Sequence, residues 1–112
     1  MKSGINDIRK ELQKGFYIDN LKEMVGICGD LMKKDNPLVF YVIQSIFYDI
    51  VENWGGRPVT VIERGIAESY LVESINKVLD LVEKKSEDGL LIELNNLVEK
   101  YVKFLDENIG RV

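Results

Sequence analysis

From Leu90 to Ile109 apolar residues return every three or four positions, at Leu90, Leu91, Leu94, Leu97, Val98, Tyr101, Val102, Leu105 and Ile109. That period places side chains on one face of an α-helix, whereas a strand would need strict alternation. Similar spacing runs through nearly all of the chain, and no Asn-Gly turn joins two alternating runs. The sequence therefore predicts an all-α fold of five helices without a sheet.

The first helix is expected over about residues 5–14, with Ile5, Ile8 and Leu12 inward. The second runs over about residues 19–34, with Leu21, Met24, Val25, Cys28, Leu31 and Met32 as its stripe and Asn20 and Glu23 at capping-box spacing. Asn36 and Pro37 follow at once. An N-cap asparagine followed by a proline whose missing N–H costs nothing at the first helical position starts a third helix. The fourth opens on Thr60 and Glu63, a T-x-x-E capping box, and reaches about Lys84. The fifth starts near Asp88 and is stopped by Gly110, with Ile92 and Phe104 placed off its main stripe. Asp30 with Lys34, Glu73 with Lys77, Asp80 with Lys84 and Glu99 with Lys103 set acid before base at four-residue spacing on the outer faces.

The stretch VENWGGRPV, residues 51–59, interrupts this pattern. Gly55 or Gly56 supplies the left-handed residue that closes the third helix, Pro58 keeps it from continuing, and Trp54 packs at the core edge. A functional reading competes: Gly55, Gly56 and Arg57 beside the start of the fourth helix offer amides and a cation to a carboxylate or phosphate.

Residues 21–34, LKEMVGICGDLMKK, align with residues 71–84, LVESINKVLDLVEK, with five identities, and ENWG at 52–55 echoes ENIG at 107–110. Such an offset suggests duplicated helical hairpins, each covering its apolar face by stacking on the next. Residues 11–37, ELQKGFYIDNLKEMVGICGDLMKKDNP, resemble a tetratricopeptide-type hairpin: a first helix, a turn at Gly15, small or apolar residues along the second helix, and a closing proline. The consensus tryptophan and alanine positions are missing, and the spacing of about fifty exceeds that family's period. The resemblance implies stacked antiparallel hairpins in an α-solenoid-like arrangement. A closed antiparallel bundle of four to five helices is the alternative architecture.

With 112 residues the chain is expected to form one domain, residues 1–112, able to bury a core without metals or crosslinks. Basic residues number seven against five acidic over residues 1–34, one against three over 35–59, and seven against eleven over 60–112. No segment forms the basic stripe that binding to nucleic-acid phosphates depends on, so no nucleic-acid partner is expected. The most apolar segment, residues 37–54, is interrupted by Gln44, Ser45, Asp49 and Glu52, which predicts a buried helix and no membrane span. A single cysteine, Cys28, and an N-terminus without a continuous apolar stretch fit a cytoplasmic protein.

Histidine is absent, which removes the commonest general base, the Ser-His and Cys-His pairs and the usual zinc sites. Glu63, Glu68 and Glu73, five residues apart, spiral round their helix instead of converging. Gly26, Gly29 and Gly65 are expected to let helices approach closely. No cofactor, metal or catalytic residue is expected. An enzyme using carboxylates of the fourth helix with Arg57 and Arg64, or a small-ligand binder there, is the competing class.

The third helix carries the most suggestive surface. Tyr41, Gln44, Ser45, Tyr48 and Glu52 recur at three- and four-residue spacing and give an apolar helix one amphipathic, hydrogen-bonding stripe. Tyrosine offers large contact area at low entropic cost together with a hydroxyl, a combination enriched in recognition surfaces. These residues predict a non-enzymatic interaction or scaffold module that binds a protein or peptide and forms a homodimer.

Overall fold

The computed structural model describes residues 4–34 and 36–109, the last by its backbone alone. Among the described residues there are five α-helices and no strand: α1 (Ile5–Lys14), α2 (Ile18–Met32), α3 (Pro37–Trp54), α4 (Val61–Glu83) and α5 (Leu90–Phe104). A π-helical segment, Leu105–Ile109, continues α5. The chain divides into two compact units, Met1–Arg64 and Gly65–Val112.

In the first unit α1 opens with the Gly4 amide donating to Asp7 Oδ2 at 2.8 Å. Gly15, at φ 102°, ends the helix in a conformation a residue with Cβ resists. Helix α2 then starts at Ile18, with Tyr17 as its N-cap. That overturns the Asn20–Glu23 capping box. Asn20 already lies in the first turn, and its side chain donates instead to Glu11 Oε1 at 2.8 Å, tying α2 back to α1.

Helix α3 runs back along α2, and Gln44 Nε2 donates to the Val25 carbonyl across the pair at 3.1 Å. At Gly29 a Cβ would stand 3.3 Å from that same nitrogen, so this glycine does permit close approach. Gly26 and Gly65 do not, because a Cβ on either would meet open space. The core joins Met24, Cys28, Ile43, Ile50 and Trp54, and the rings of Phe16 and Phe47 meet edge to face at 6.0 Å. Ile27 is buried where Val25 was expected to be, and Trp54, at 1% exposure, is core and not core edge. Asn36 is not a side-chain N-cap: it sits in the left-handed region at φ 47°, which asparagine tolerates better than most residues, and makes no capping bond. Pro37 occupies the start of α3 as expected.

Between α3 and α4 the two glycines divide their work. Gly56 takes the positive φ of 83°, while Gly55 is extended with its amide on Val51 O, so close that a Cβ would lie 2.9 Å from that oxygen. The T-x-x-E box forms in full. The Glu63 amide donates to Thr60 Oγ1 at 3.1 Å and the Thr60 amide to Glu63 Oε1 at 3.2 Å, satisfying two of the donors a helix start leaves open.

In the second unit α4 presents Ala67, Leu71, Ile75, Val78, Leu79 and Val82 to the interior. It ends with Lys85 in the left-handed region, φ 53°, and the Ser86 amide reaching back to Leu81 O at 3.0 Å, a bond of the Schellman type. Helix α5 returns antiparallel to α4, starting at Leu90 after a left-handed Gly89. Its inward face is Leu94, Leu97, Tyr101 and Phe104. This corrects the helical phase: Phe104 is buried to 2% exposure, while Leu91, Val98 and Val102 are exposed. A strict three-four repeat through residues 94, 97, 101 and 104 decides the face, and the extra aliphatic residues beside it remain in solvent. The Phe104 ring lies 5.8 Å from that of Tyr70, whose hydroxyl donates to Glu107 Oε2 at 2.6 Å and pins the π-helical segment to α4. The stop expected at Gly110 lies outside the described residues, as does the side chain of Ile109.

Candidate interaction surface

The inward face of α3 consists of Val39, Phe40, Ile43, Ile46, Phe47, Ile50 and Trp54. With those positions fixed by burial, helical geometry turns residues 38, 41, 45, 48 and 52 outward as one stripe with spacing three, four, three, four. Leu38 is 61% exposed, Tyr41 57% and Tyr48 55%, and Ser45 and Glu52 are exposed too. Over fourteen residues the stripe is about 21 Å long at 1.5 Å per residue.

Four of the five residues singled out in sequence, Tyr41, Ser45, Tyr48 and Glu52, are brought together here. Gln44 belongs elsewhere: half-buried, it is committed to the Val25 carbonyl in the α2–α3 seam. Leu38 completes the stripe and was missed, although its place three residues before Tyr41 is legible in the spacing. Ser45 Oγ donates to the Tyr41 carbonyl at 2.8 Å, so its hydroxyl proton is already used within the helix. The Tyr48 hydroxyl bonds to the Glu52 carboxylate, and that carboxylate holds the phenol above its ordinary pKa. No lysine or arginine occurs between Pro37 and Trp54. The short link from α2 places the exposed Lys33 and Lys34 just ahead of the N-terminus of α3, while Asp49 and Glu52 lie near its other end.

At the Gly55–Gly56–Arg57 turn the guanidinium of Arg57 grips Glu63 with two nitrogens, at 2.7 and 3.3 Å. This pairing, ahead of the Thr60 amide bond, draws the Glu63 carboxyl down to about 2. Any anion there competes with a carboxylate already in place. Arg64 is engaged likewise, donating to Val59 O at 2.8 Å and stacking 4.4 Å above the centre of the Tyr17 ring. Of the glutamates at 63, 68 and 73 on α4, Glu63 is thus a capping residue and Glu73 pairs with Lys77 at 3.2 Å.

Cys28 is fully buried, and desolvation pushes its thiol up to about 12. In the second unit an open cleft of about 250 Å³ lies between α4 and α5, with Lys77, Lys100 and Lys103 interleaved with Glu93 and Glu99 on its walls. Among the described residues no three carboxylate or thiol groups converge as metal ligands, and no helix is long and apolar enough to cross a membrane. Comparison with protein-family models, with curated proteins and with solved structures yields no match.

Proposed function

We propose that this chain is a protein-interaction module of the cytoplasm, acting without a cofactor, and that the Leu38–Tyr41–Ser45–Tyr48–Glu52 stripe of α3 is its docking face. One observation carries the reading: two tyrosines and a leucine, each more than half exposed, stand in register along one helix whose opposite face is fully buried. Single exposed apolar residues are ordinary on any surface, but an aligned run marks a contact site. Tyrosine suits it because its ring buries area and its hydroxyl keeps a hydrogen bond when water leaves. Arg57 and Arg64, on which the competing enzyme or small-ligand reading depends, are already held by Glu63 and by the Val59 carbonyl, which favours the interaction reading.

A photo-crosslinking residue placed at Tyr48 in cells tests this, with the same residue at the exposed Ile62 of α4 as control. A discrete adduct from position 48, abolished by Tyr41→Ala and absent from position 62, is expected. Position 48 giving no adduct, or adducts indistinguishable from those of the control, would remove the docking face. Circular dichroism of the Tyr41→Ala/Tyr48→Ala protein should retain its helical signal, since both rings project outward; loss of the fold would assign them to the core.

A further inference from the structure

Resting on that docking face, we infer that its occupant is a second copy of this chain, laid antiparallel along α3 with the two-fold axis passing beside Ser45. Three features of the stripe lead there. It is nearly palindromic about Ser45: tyrosines flank it at four residues before and three after, and Leu38 and Glu52 lie seven residues to either side. An antiparallel partner centred on Ser45 therefore sets Tyr41 beside Tyr48 of the other copy, staggered by about 1.5 Å, and Leu38 level with its Glu52. Both tyrosine pairs form at once, as the self-complementarity of a two-fold interface requires.

The centre of the stripe is built for approach. Ser45 is its smallest residue, and its hydroxyl proton is satisfied by Tyr41 O. Desolvating it leaves no donor stranded, and the helix axes can come to within about 8–10 Å. Rings on either side then close over the seam.

Charge selects the direction. Along α3 the only ionised side chains are Asp49 and Glu52, at its C-terminal half, while Lys33, Lys34 and Asp35, two cations against one anion, precede its N-terminus. A parallel pair would juxtapose Glu52 with Glu52 and align the two helix dipoles. The antiparallel pair instead brings each Glu52 to the lysine-bearing, positive end of the other α3.

Sedimentation equilibrium of the full chain, followed by disulfide mapping at surface positions, decides the matter; buried Cys28 stays silent in the folded protein. Expected are a reversible dimer, a disulfide-linked dimer from Ser45→Cys, none from Leu38→Cys or Glu52→Cys alone, and a linked heterodimer when those two proteins are mixed. Ser45→Arg, which puts like charges on the axis, should raise the dimer Kd by more than about tenfold without loss of helicity. A wild-type chain that stays monomeric at several hundred micromolar overturns the inference, as does ready self-linking of Leu38→Cys, the mark of a parallel pair. The docking face fails by a different result. A position-48 photo-adduct containing only another protein would sink the self-pairing while preserving that face, and no adduct with a monomeric chain would sink both.

Discussion

Phe104→Ala tests the packing of the second unit most sharply, because the ring sits where the apolar count of α5 alone would not put it. Phe104 is 2% exposed, its ring 5.8 Å from Tyr70 and 6.4 Å from Tyr101. Truncating a buried phenylalanine costs roughly 3–5 kcal/mol through lost transfer energy and the cavity left behind. Because the residue is the last of α5, partial collapse of the following turn should hold the loss to the lower figure, about 3 kcal/mol. For a chain this size that equals a fall in melting temperature of about 12–20 °C. With a urea m-value of about 1.5 kcal/mol/M the midpoint drops by about 2 M. Val102→Ala, on the opposite side at 48% exposure, should shift stability by no more than about 0.5 kcal/mol. Parallel urea titrations followed by far-ultraviolet circular dichroism, with equal slopes, make the comparison. A loss below about 1 kcal/mol at Phe104 together with more than about 2 kcal/mol at Val102 would reverse the assigned face and with it the α4–α5 packing.

Three further outcomes follow from local geometry. The Glu63 carboxyl, drawn from an ordinary 4.5 to about 2 by Arg57 and the Thr60 amide, contributes stability that is fully present above 4.5 and lost as pH falls toward 2. Its carbon-13 titration should centre near 2 and move up toward 4.5 in Arg57→Ala, and an ordinary midpoint with Arg57 intact would contradict the pairing. Cys28, held neutral by burial with its thiol near 12, should resist iodoacetamide at pH 8 in the native protein and react at once in guanidinium; fast native labelling would expose an error in the α2–α3 core. Lys85→Gly relieves a left-handed lysine at the end of α4 and, after the entropy glycine adds to the unfolded chain, should stabilise by about 0.5 kcal/mol. A lower melting temperature would show that Lys85 makes compensating contacts.

What could be read from the sequence divides along physical lines. Starts and stops written in backbone chemistry were legible: Pro37 opens α3, Gly56 supplies the positive φ after it, and Thr60 with Glu63 caps α4. Signals that depend on what a side chain finds across space were not. Asn20 and Asn36 both suit an N-cap locally, yet one bonds to Glu11 of a neighbouring helix and the other adopts the left-handed bend that turns the chain into α3. On α5 the face was ambiguous because apolar residues cover more than half the helical circumference, and only packing against α4 selects Phe104 over Val98 and Val102. The stripe on α3 was largely visible for the opposite reason. Its inward positions are so uniformly large and apolar that the phase is fixed, and the tyrosines fall outside by default.

The composition of the outer faces then separates that stripe from ordinary solvated surface. Many exposed positions on the other helices carry charge, Lys10 and Lys14 on α1, Lys22 and Glu23 on α2, Glu73 and Lys77 on α4, Lys100 and Lys103 on α5, although aliphatic residues such as Ile62 on α4 and Leu91 and Ile92 on α5 are exposed beside them. Long charged side chains keep a helix soluble, contribute a few tenths of a kcal/mol per i,i+4 pair, and resist the ordering that a protein contact imposes. Helix α3 differs in having no cation and in carrying exposed aromatic rings, Tyr41 and Tyr48, on its outer face. Rings lose only two torsions when ordered, so replacing lysine by tyrosine lowers the entropic cost of association while sacrificing some solubility. An isolated chain gains nothing from that exchange, and this is the physical ground for the docking face proposed on the outer side of α3.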